Sequence, residues 1–367
     1  MAPRRIGLIV NPVAGLGGAV GLKGSDGAAL QAEAIRRGAV AQAGARAARA
    51  LRDPMRRDMF WLVTGSGAMG VDAVAAAGFA PDAVLAAPAS STAEDTRRLA
   101  RHMRGTGVEL LLFSGGDGTA RDVHAAVGDE VPMLGIPSGV KMHSGVFATS
   151  PAAAGRLLAA FAAGDAPRFR EAEIIDRDAA GGAPRLYGLA RVPEESRLMQ
   201  QAKAGPAPDD AAHVIAAAHA IAREMERDVA YVIGPGQSAG EVLAALGLSG
   251  TLLGVDVVRN GGLAGRDVSA TGLRALVGEG PARIVVGVTG GQGFVFGRGN
   301  QQIPADVIGR AGRAGITILA GPQKLAGLPA ARLLVDTGDA AVDAALAGHI
   351  RVRCGRDRWM MMRLVAG

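Results

Sequence analysis

The sequence predicts an α/β amino-terminal domain built on a doubly wound parallel sheet, followed by a strand-rich second domain. Three observations carry this reading. The chain has 367 residues, well above the roughly 100–200 usual for one domain. Strand and helix patterns alternate through residues 1–165, which argues for a parallel sheet flanked by helices. After about residue 168 shorter β-like segments dominate. The domains are therefore placed at residues 1–165 and 166–367.

In the first domain, Ile6–Val10 is a short apolar run ending in Asn11-Pro12, a buried strand leaving into a loop. The glycine-rich stretch Gly15–Gly27 follows. Ala28–Leu51, rich in Ala and Arg, reads as a helix broken at Gly38 or Gly44. Met59–Val63 is a strand with Thr64–Gly70 as its exit loop, Val71–Ala77 a helix and Ala83–Ala86 a strand. Ser91 or Thr92 caps the next helix, with Glu94 and Asp95 in its first turn. Val108–Phe113, in which only Glu109 is polar, is a strand of the kind buried on both faces. It runs into Ser114-Gly115-Gly116-Asp117-Gly118-Thr119 and a helix over Ala120–Val127. The strand Pro132–Ile136, the loop Pro137–Gly145 and the helix Pro151–Ala163 complete the domain.

In the second domain, strands are expected at Ala172–Ile175, Leu186–Val192, Val229–Ile233, Thr251–Val258, Ile284–Val288 and Phe294–Phe296. One helix, Ala211–Glu226, interrupts them. The closing segments are helices at Pro304–Ala314 and Thr337–Ala347 and strands at Ile316–Leu319, Leu333–Val335 and Ile350–Arg353. Pattern alone fits these last segments to either domain.

Composition removes several function classes. Hydrophobic residues are 49% and charged residues 20%, so wholesale disorder is excluded. Aromatics are 3%, which leaves little for stacking on nucleic acid. The net charge is +6 with no run of five basic residues, so no nucleic-acid patch is expected, although a modest positive field suits a phosphorylated substrate. The single cysteine, Cys354, cannot form an internal disulfide and is expected to be inert. The longest uncharged apolar stretch, Val242–Val255, is shorter than the roughly 18 residues needed to cross a membrane. A cytoplasmic protein without a membrane partner is expected, and a homo-oligomer. No His, Cys and Asp cluster has zinc spacing.

The strongest chemical signal is the run 114–119. Glycines between a buried strand and a helix let the backbone turn sharply and present amides to an anion. Asp117 repels phosphate, so its roles would be to accept a proton from a hydroxyl or to help hold magnesium. The bland alternative is an Asp-Gly turn capping the next helix. Among other loops, Lys23 either meets a phosphate or is solvated on a mobile loop. Gly290–Gly293 and Arg298–Gln302 are dense in amide side chains, which can read a base or ribose or simply form turns. His124 is expected to be packed. His143, in the loop 137–145 beside Lys141, is a stronger candidate.

The strand–GGDGT–helix arrangement after an Asn-Pro strand end resembles the NAD kinase and diacylglycerol kinase superfamily. The opening RIGLIVNPVAGLGGAVGLKGSDG and the later GPG, GVDVV and GQGFVFGRGNQQI stretches are similar to its ATP-NAD kinase-like, AcoX-like branch. The resemblance covers essentially the whole chain. It implies an NAD kinase-like fold, with a β-sandwich-like second domain and an active site in the crevice between domains. It implies ATP-dependent phosphoryl transfer to a hydroxyl of NAD(H) or a nucleotide-like acceptor, with Mg2+ accompanying ATP. Asp117 would be the general base. Asn11, Gly115, Gly116, Gly118 and Thr119 would line the nucleotide, with Ser138, Gly139, Lys141 and His143 from the next loop. Gly234, Gly236, Gln292, Asn300 and Gln301 would be the second domain's nucleotide-binding residues. Where the family carries an Asn-Glu pair, this chain has Arg191-Val192-Pro193-Glu194-Glu195. The alternatives are a kinase of another small hydroxylated metabolite, or a nucleotide-binding sensor without turnover.

Overall fold

The computed structural model describes residues 3–22, 28–52, 60–88, 91–140, 142–164, 168–176, 185–195, 198–199 and 210–366. It divides into two compact units.

The first unit runs β1 (Arg4–Val10), α1 (Ala28–Arg36), α2 (Ala43–Arg52), β2 (Phe60–Gly65), α3 (Val71–Ala76), β3 (Ala83–Leu85), α4 (Ala93–Gly105), β4 (Leu110–Gly115), α5 (Asp117–Val127), β5 (Met133–Pro137), α6 (Pro151–Ala162), β6 (Phe169–Asp176) and β7 (Arg185–Pro193). The first five strands form one sheet in the order β3-β2-β1-β4-β5, parallel throughout. The doubly wound prediction holds. The strand order reverses between β1 and β4, and such a switch point leaves a crevice at the carboxyl edge where ligands bind.

Local chemistry explains the elements. Leu110, Leu111, Leu112 and Phe113 are all fully buried, as a central strand covered on both faces requires. Thr92 and Asp95 form a reciprocal capping box that starts α4. Ser150 caps α6 through the Ala153 amide, with Pro151 opening the helix. The expected break in the Ala-rich helix falls between α1 and α2, where Gly38 has a φ of 81°.

One boundary lies elsewhere than the pattern placed it. The antiparallel ribbon β6–β7 groups with the first unit, not the second. Its alternate residues Ala172, Ile174, Ala190 and Val192 are buried in the core that surrounds β4 and β5. Antiparallel strands after a run of βα units suggested a new domain, but one apolar face of the ribbon is what covers this core.

The second unit contains α7 (Asp210–Arg223), β8 (Ala230–Ile233), α8 (Gln237–Ala245), β9 (Asp256–Arg259), β10 (Gly262–Gly265), α9 (Ala270–Val277), β11 (Ala282–Gly287), β12 (Phe294–Phe296), α10 (Ala305–Ala311), β13 (Ile316–Leu319), α11 (Pro322–Ala326), β14 (Arg332–Val335), α12 (Ala340–Leu346), β15 (Gly348–Arg353) and β16 (Trp359–Ala366). It is strand-rich, as predicted. Its nine-stranded mixed sheet has the order β10-β9-β8-β11-β13-β15-β16-β14-β12. Along β8, Ala230 and Val232 join one core cluster while Tyr231 and Ile233 join another, so period-2 alternation buries both faces.

The pattern missed α8, α9, α11, β10 and β16, and before Pro304 it expected one helix where three stand. The strand expected from Thr251 begins only at Asp256. The Asp256 carboxylate accepts bonds from the Thr251 amide and hydroxyl and the Asp267 amide, which folds the preceding residues into a loop. The closing segments all stay in this unit.

Leu112→Ala should cost about 2–5 kcal/mol, as truncation of a well-packed core leucine does. Leu186→Ala, at a residue 56% exposed, should stay within about 0.5 kcal/mol. Denaturant unfolding of the two variants checks this contrast.

Candidate functional site

Helix α5 begins at Asp117, three residues before the expected start, with Gly116 as its cap. Gly116 has no side chain to cap with, and Asp117 does not cap either. Its carboxylate crosses instead to the loop after β5. Oδ2 accepts from the His143 amide at 2.7 Å and lies 3.1 Å from His143 Nδ1. Oδ1 accepts from the Ser144 amide at 3.0 Å and the Ser144 hydroxyl at 2.7 Å. The Ser144 oxygen in turn accepts from the Ile175 amide of β6 at 3.0 Å. The turn-cap reading is thus replaced by a clamp joining three elements.

Asp117, His143 and Ser144 are all buried. Among the described residues no Lys or Arg pairs with Asp117; the ring beside it is that of His143. A carboxylate taken out of water without a cation needs donors from its own chain. The His143 and Ser144 amides supply two, His143 Nδ1 lies in reach, and the Ser144 hydroxyl is shared between Asp117 and the Ile175 carbonyl at 2.8 Å. Sequence reasoning missed Ser144. The available signal was a hydroxyl next to His143 in the loop that follows the neighbouring strand.

The loops at this edge are bound to one another. Asn11 Nδ2 donates to Thr119 Oγ1 at 2.9 Å, and its own oxygen accepts from the Val13 amide. The end of β1 is thereby fixed to the first turn of α5. The Gly115 carbonyl accepts from the Ser138 and Gly139 amides. The Ser114 and Ser138 hydroxyls lie 2.8 Å apart. A Cβ on Gly139 would stand 2.7 Å from the Gly116 Cα, so these two backbones touch and only glycine fits. A Cβ on Gly118 would meet nothing nearer than Asp176 Oδ2 at 3.7 Å, so its own chain does not demand glycine there. Asp176 pairs with Arg121 at 2.7 Å. The structure therefore brings Asn11, Gly115, Gly116, Asp117, Gly118, Thr119, Ser138, Gly139 and His143 to one edge. Lys141, Lys23 and Asp26 lie outside the described residues. The described part of the first glycine loop is packed, with Ala14, Leu16 and Val20 buried, not a mobile surface loop.

In the second unit, Gly234 lies just beyond β8 and its amide donates to the Val285 carbonyl, while Gly236 caps α8 with a φ of 106°. Gln292 is buried. The amide-rich stretch turns largely inward. Asn300 accepts from the Gly297 amide and donates to the Val295 carbonyl, so its side chain ties down its own turn. Gln301 Nε2 reaches the Gly297 carbonyl at 3.3 Å. Gln302 ties to Asp267 and Val268. Arg298 forms a buried pair with Asp336 and stacks over Phe294 at 4.3 Å. The paired glutamines thus have a structural use that turn propensity did not suggest.

Cys354 is buried, and burial pushes its thiol up, which keeps it from acting as a nucleophile. His124 packs its ring against Gly188 of β7, as expected of a packing residue. No helix among the described residues is long and apolar enough to cross a membrane.

Asp117→Ala would leave the His143 and Ser144 amides facing a hole and should cost about 2 kcal/mol or more, since each buried unsatisfied polar group costs about 1–3 kcal/mol. Ser144→Ala removes one donor and should cost clearly less. Chemical denaturation of both variants measures the difference.

Comparison with known proteins agrees with the resemblance. The family model for the ATP-NAD kinase N-terminal domain matches residues 6–166. The model for the ATP-NAD kinase C-terminal domain matches residues 226–364. No curated protein and no solved structure matches the chain. The two matched segments take in the parallel sheet with its Asp117 edge and most of the nine-stranded sheet, and the chain belongs to the NAD kinase-like family.

Proposed function

We propose that this protein transfers the γ-phosphoryl group of ATP to a hydroxyl of NAD(H) or a closely related nucleotide-like acceptor. The observation that carries the reading is the convergence of Asn11, Thr119, Gly139 and the Asp117 clamp at the switch point of a parallel sheet. The family matches support the same class of reaction. Phosphoryl transfer needs little covalent chemistry from a protein, and positioning with electrostatic stabilisation does most of the work. Here the backbone of residues 115–119 and the start of α5 would face the phosphates. Clamping that backbone to two neighbouring loops would hold it in one geometry.

Mg2+ is part of this proposal as the companion of ATP. Among the described residues no group of three or more His, Cys, Asp or Glu side chains gathers to hold a metal. The ion would enter with the phosphates of ATP and neutralise their charge there.

A second acceptor class is favoured by one feature. Glu194 is exposed at the end of β7 and Glu195 is engaged in the turn that follows, its carbonyl accepting from the Leu198 and Met199 amides. A Glu-Glu pair stands where the family's Asn-Glu pair is expected, and it would select a different hydroxyl-bearing metabolite. Incubation with Mg-ATP and NAD, NADH or a panel of hydroxylated metabolites, followed by mass spectrometry, separates the readings. Formation of ADP and a phosphorylated dinucleotide is the expected result. A ligand bound at a hundred times its Kd should also add about 2.7 kcal/mol to unfolding, readable as a thermal shift. A phosphorylated product from another metabolite alone would retire NAD(H) and keep the kinase. Binding without turnover would leave a sensor.

A further inference from the structure

We propose that Arg121 is a phosphate-binding residue of the nucleotide site, held beside Gly118 by Asp176 and Tyr187. This deepens the kinase reading and rests on it.

Gly118 differs from the other glycines of the turn after β4. A Cβ on Gly115 would collide with the Thr119 side chain, and one on Gly116 would stand 3.1 Å from the Gly139 Cα. A Cβ on Gly118 would meet only Asp176 Oδ2 at 3.7 Å and Arg121 Nη2 at 3.9 Å. Its backbone is helical, so no special φ requires glycine there either. Room is therefore left beside the backbone at Gly118, bordered by a guanidinium and a carboxylate. A glycine that its own chain does not need suits a backbone that a ligand approaches closely.

Arg121 follows Gly118 by three residues on α5, a spacing that brings two helix positions onto one face. Its side chain is 35% exposed. Asp176, at the end of β6, accepts from Nη1 at 2.7 Å. The ring of Tyr187 on β7 lies 5.4 Å from the guanidinium. Among the described residues Arg121 has no other hydrogen-bond partner, so the rest of its N–H fork is open. A fork anchored at one nitrogen and open at the others suits phosphate, which accepts parallel N–H bonds. Protein kinases hold their phosphate-binding lysine by a glutamate in the same manner. Asp176 is thus the positioning residue.

The local charge agrees. Arg185 is the cross-strand partner of Asp176 and lies 5.8 Å from the centre of the same Tyr187 ring. At this end of the ribbon two guanidinium groups stand against one carboxylate among the described residues, and the balance is positive. Such a balance favours an anionic group of the substrate.

Both proposed substrates carry phosphate, in the triphosphate of ATP and in the pyrophosphate of a dinucleotide acceptor, and the experiment separates them. Titration calorimetry measures the binding of Mg-ATP and of NAD to wild type, Arg121→Gln, Asp176→Asn and Arg98→Gln. Half-exposed ion pairs add little stability, so Arg121→Gln should melt within about 3 °C of wild type. Its Kd for Mg-ATP, for NAD or for both should rise at least about tenfold, the loss expected of a charge-assisted bond to phosphate. A rise with Mg-ATP alone assigns Arg121 to the donor, and a rise with NAD alone assigns it to the acceptor. Asp176→Asn should lose less affinity than Arg121→Gln, because it only frees the arginine to move. Arg98, an exposed arginine paired with Asp95 on α4, is the matched control. Arg98→Gln should bind both ligands within about twofold of wild type, since exposed distant charges are screened. Unchanged Kd values for both ligands in Arg121→Gln overturn the proposal and leave the kinase standing. A larger loss in Asp176→Asn overturns it too, by making the carboxylate the binding group. An equal loss in Arg98→Gln does the same, by reducing the effect to general charge. A wild-type protein that binds neither ligand ends the kinase reading and this proposal together.

Discussion

A buried carboxylate with no arginine or lysine beside it must be satisfied by the chain that buries it, and among the described residues Asp117 is in that position. Its partners come from two consecutive residues of another loop, and one of those residues is bonded onward to β6. The start of α5, the exit of β5 and the end of the β6–β7 ribbon are thereby locked together. Charge-assisted hydrogen bonds in a poorly hydrated setting are among the stronger polar contacts available to a protein. The geometry of the whole edge follows from satisfying this one group.

The glycines serve the same arrangement. Gly116 and Gly139 are in backbone contact, which lets the loops after β4 and β5 lie close enough for the carboxylate to reach across. Asn11 adds the loop after β1 by bonding Thr119. Glycine is thus used here partly to bring backbone against backbone, and only partly to leave room for a ligand, with Gly118 the position whose own surroundings do not require it. A rigid edge of this sort suits phosphoryl transfer, where a preorganised site supplies most of the catalysis.

The second unit applies the same economy of polar groups differently. Asn300 and Gln302 bind backbone and an aspartate, and Arg298 is buried against Asp336. A motif dense in amides looked like a reader of bases, yet much of it builds the turn after β12. Amide side chains carry both donors and acceptors, so they satisfy a loop backbone as readily as a nucleobase. Sequence offers no means to tell these uses apart.

The sequence by itself determined the parallel sheet, the position of β4, the GGDGT turn at its end and the family. These are written in local terms: apolar runs of strand length, helical spacing and glycines at a strand end. It determined α5 only to within a turn, because a Gly-Asp-Gly start has no capping side chain to mark it. Tertiary structure decided that β6–β7 completes the first core. It also decided that Gln237–Ala245 and Ala270–Val277 are helices, since their short apolar patterns suit either state. Above all it decided the partners of Asp117. Its partners lie 26 and 27 residues away, and no periodicity links them. Only chain reversal through β5 brings His143 and Ser144 onto that carboxylate, and burial then makes their bonds obligatory.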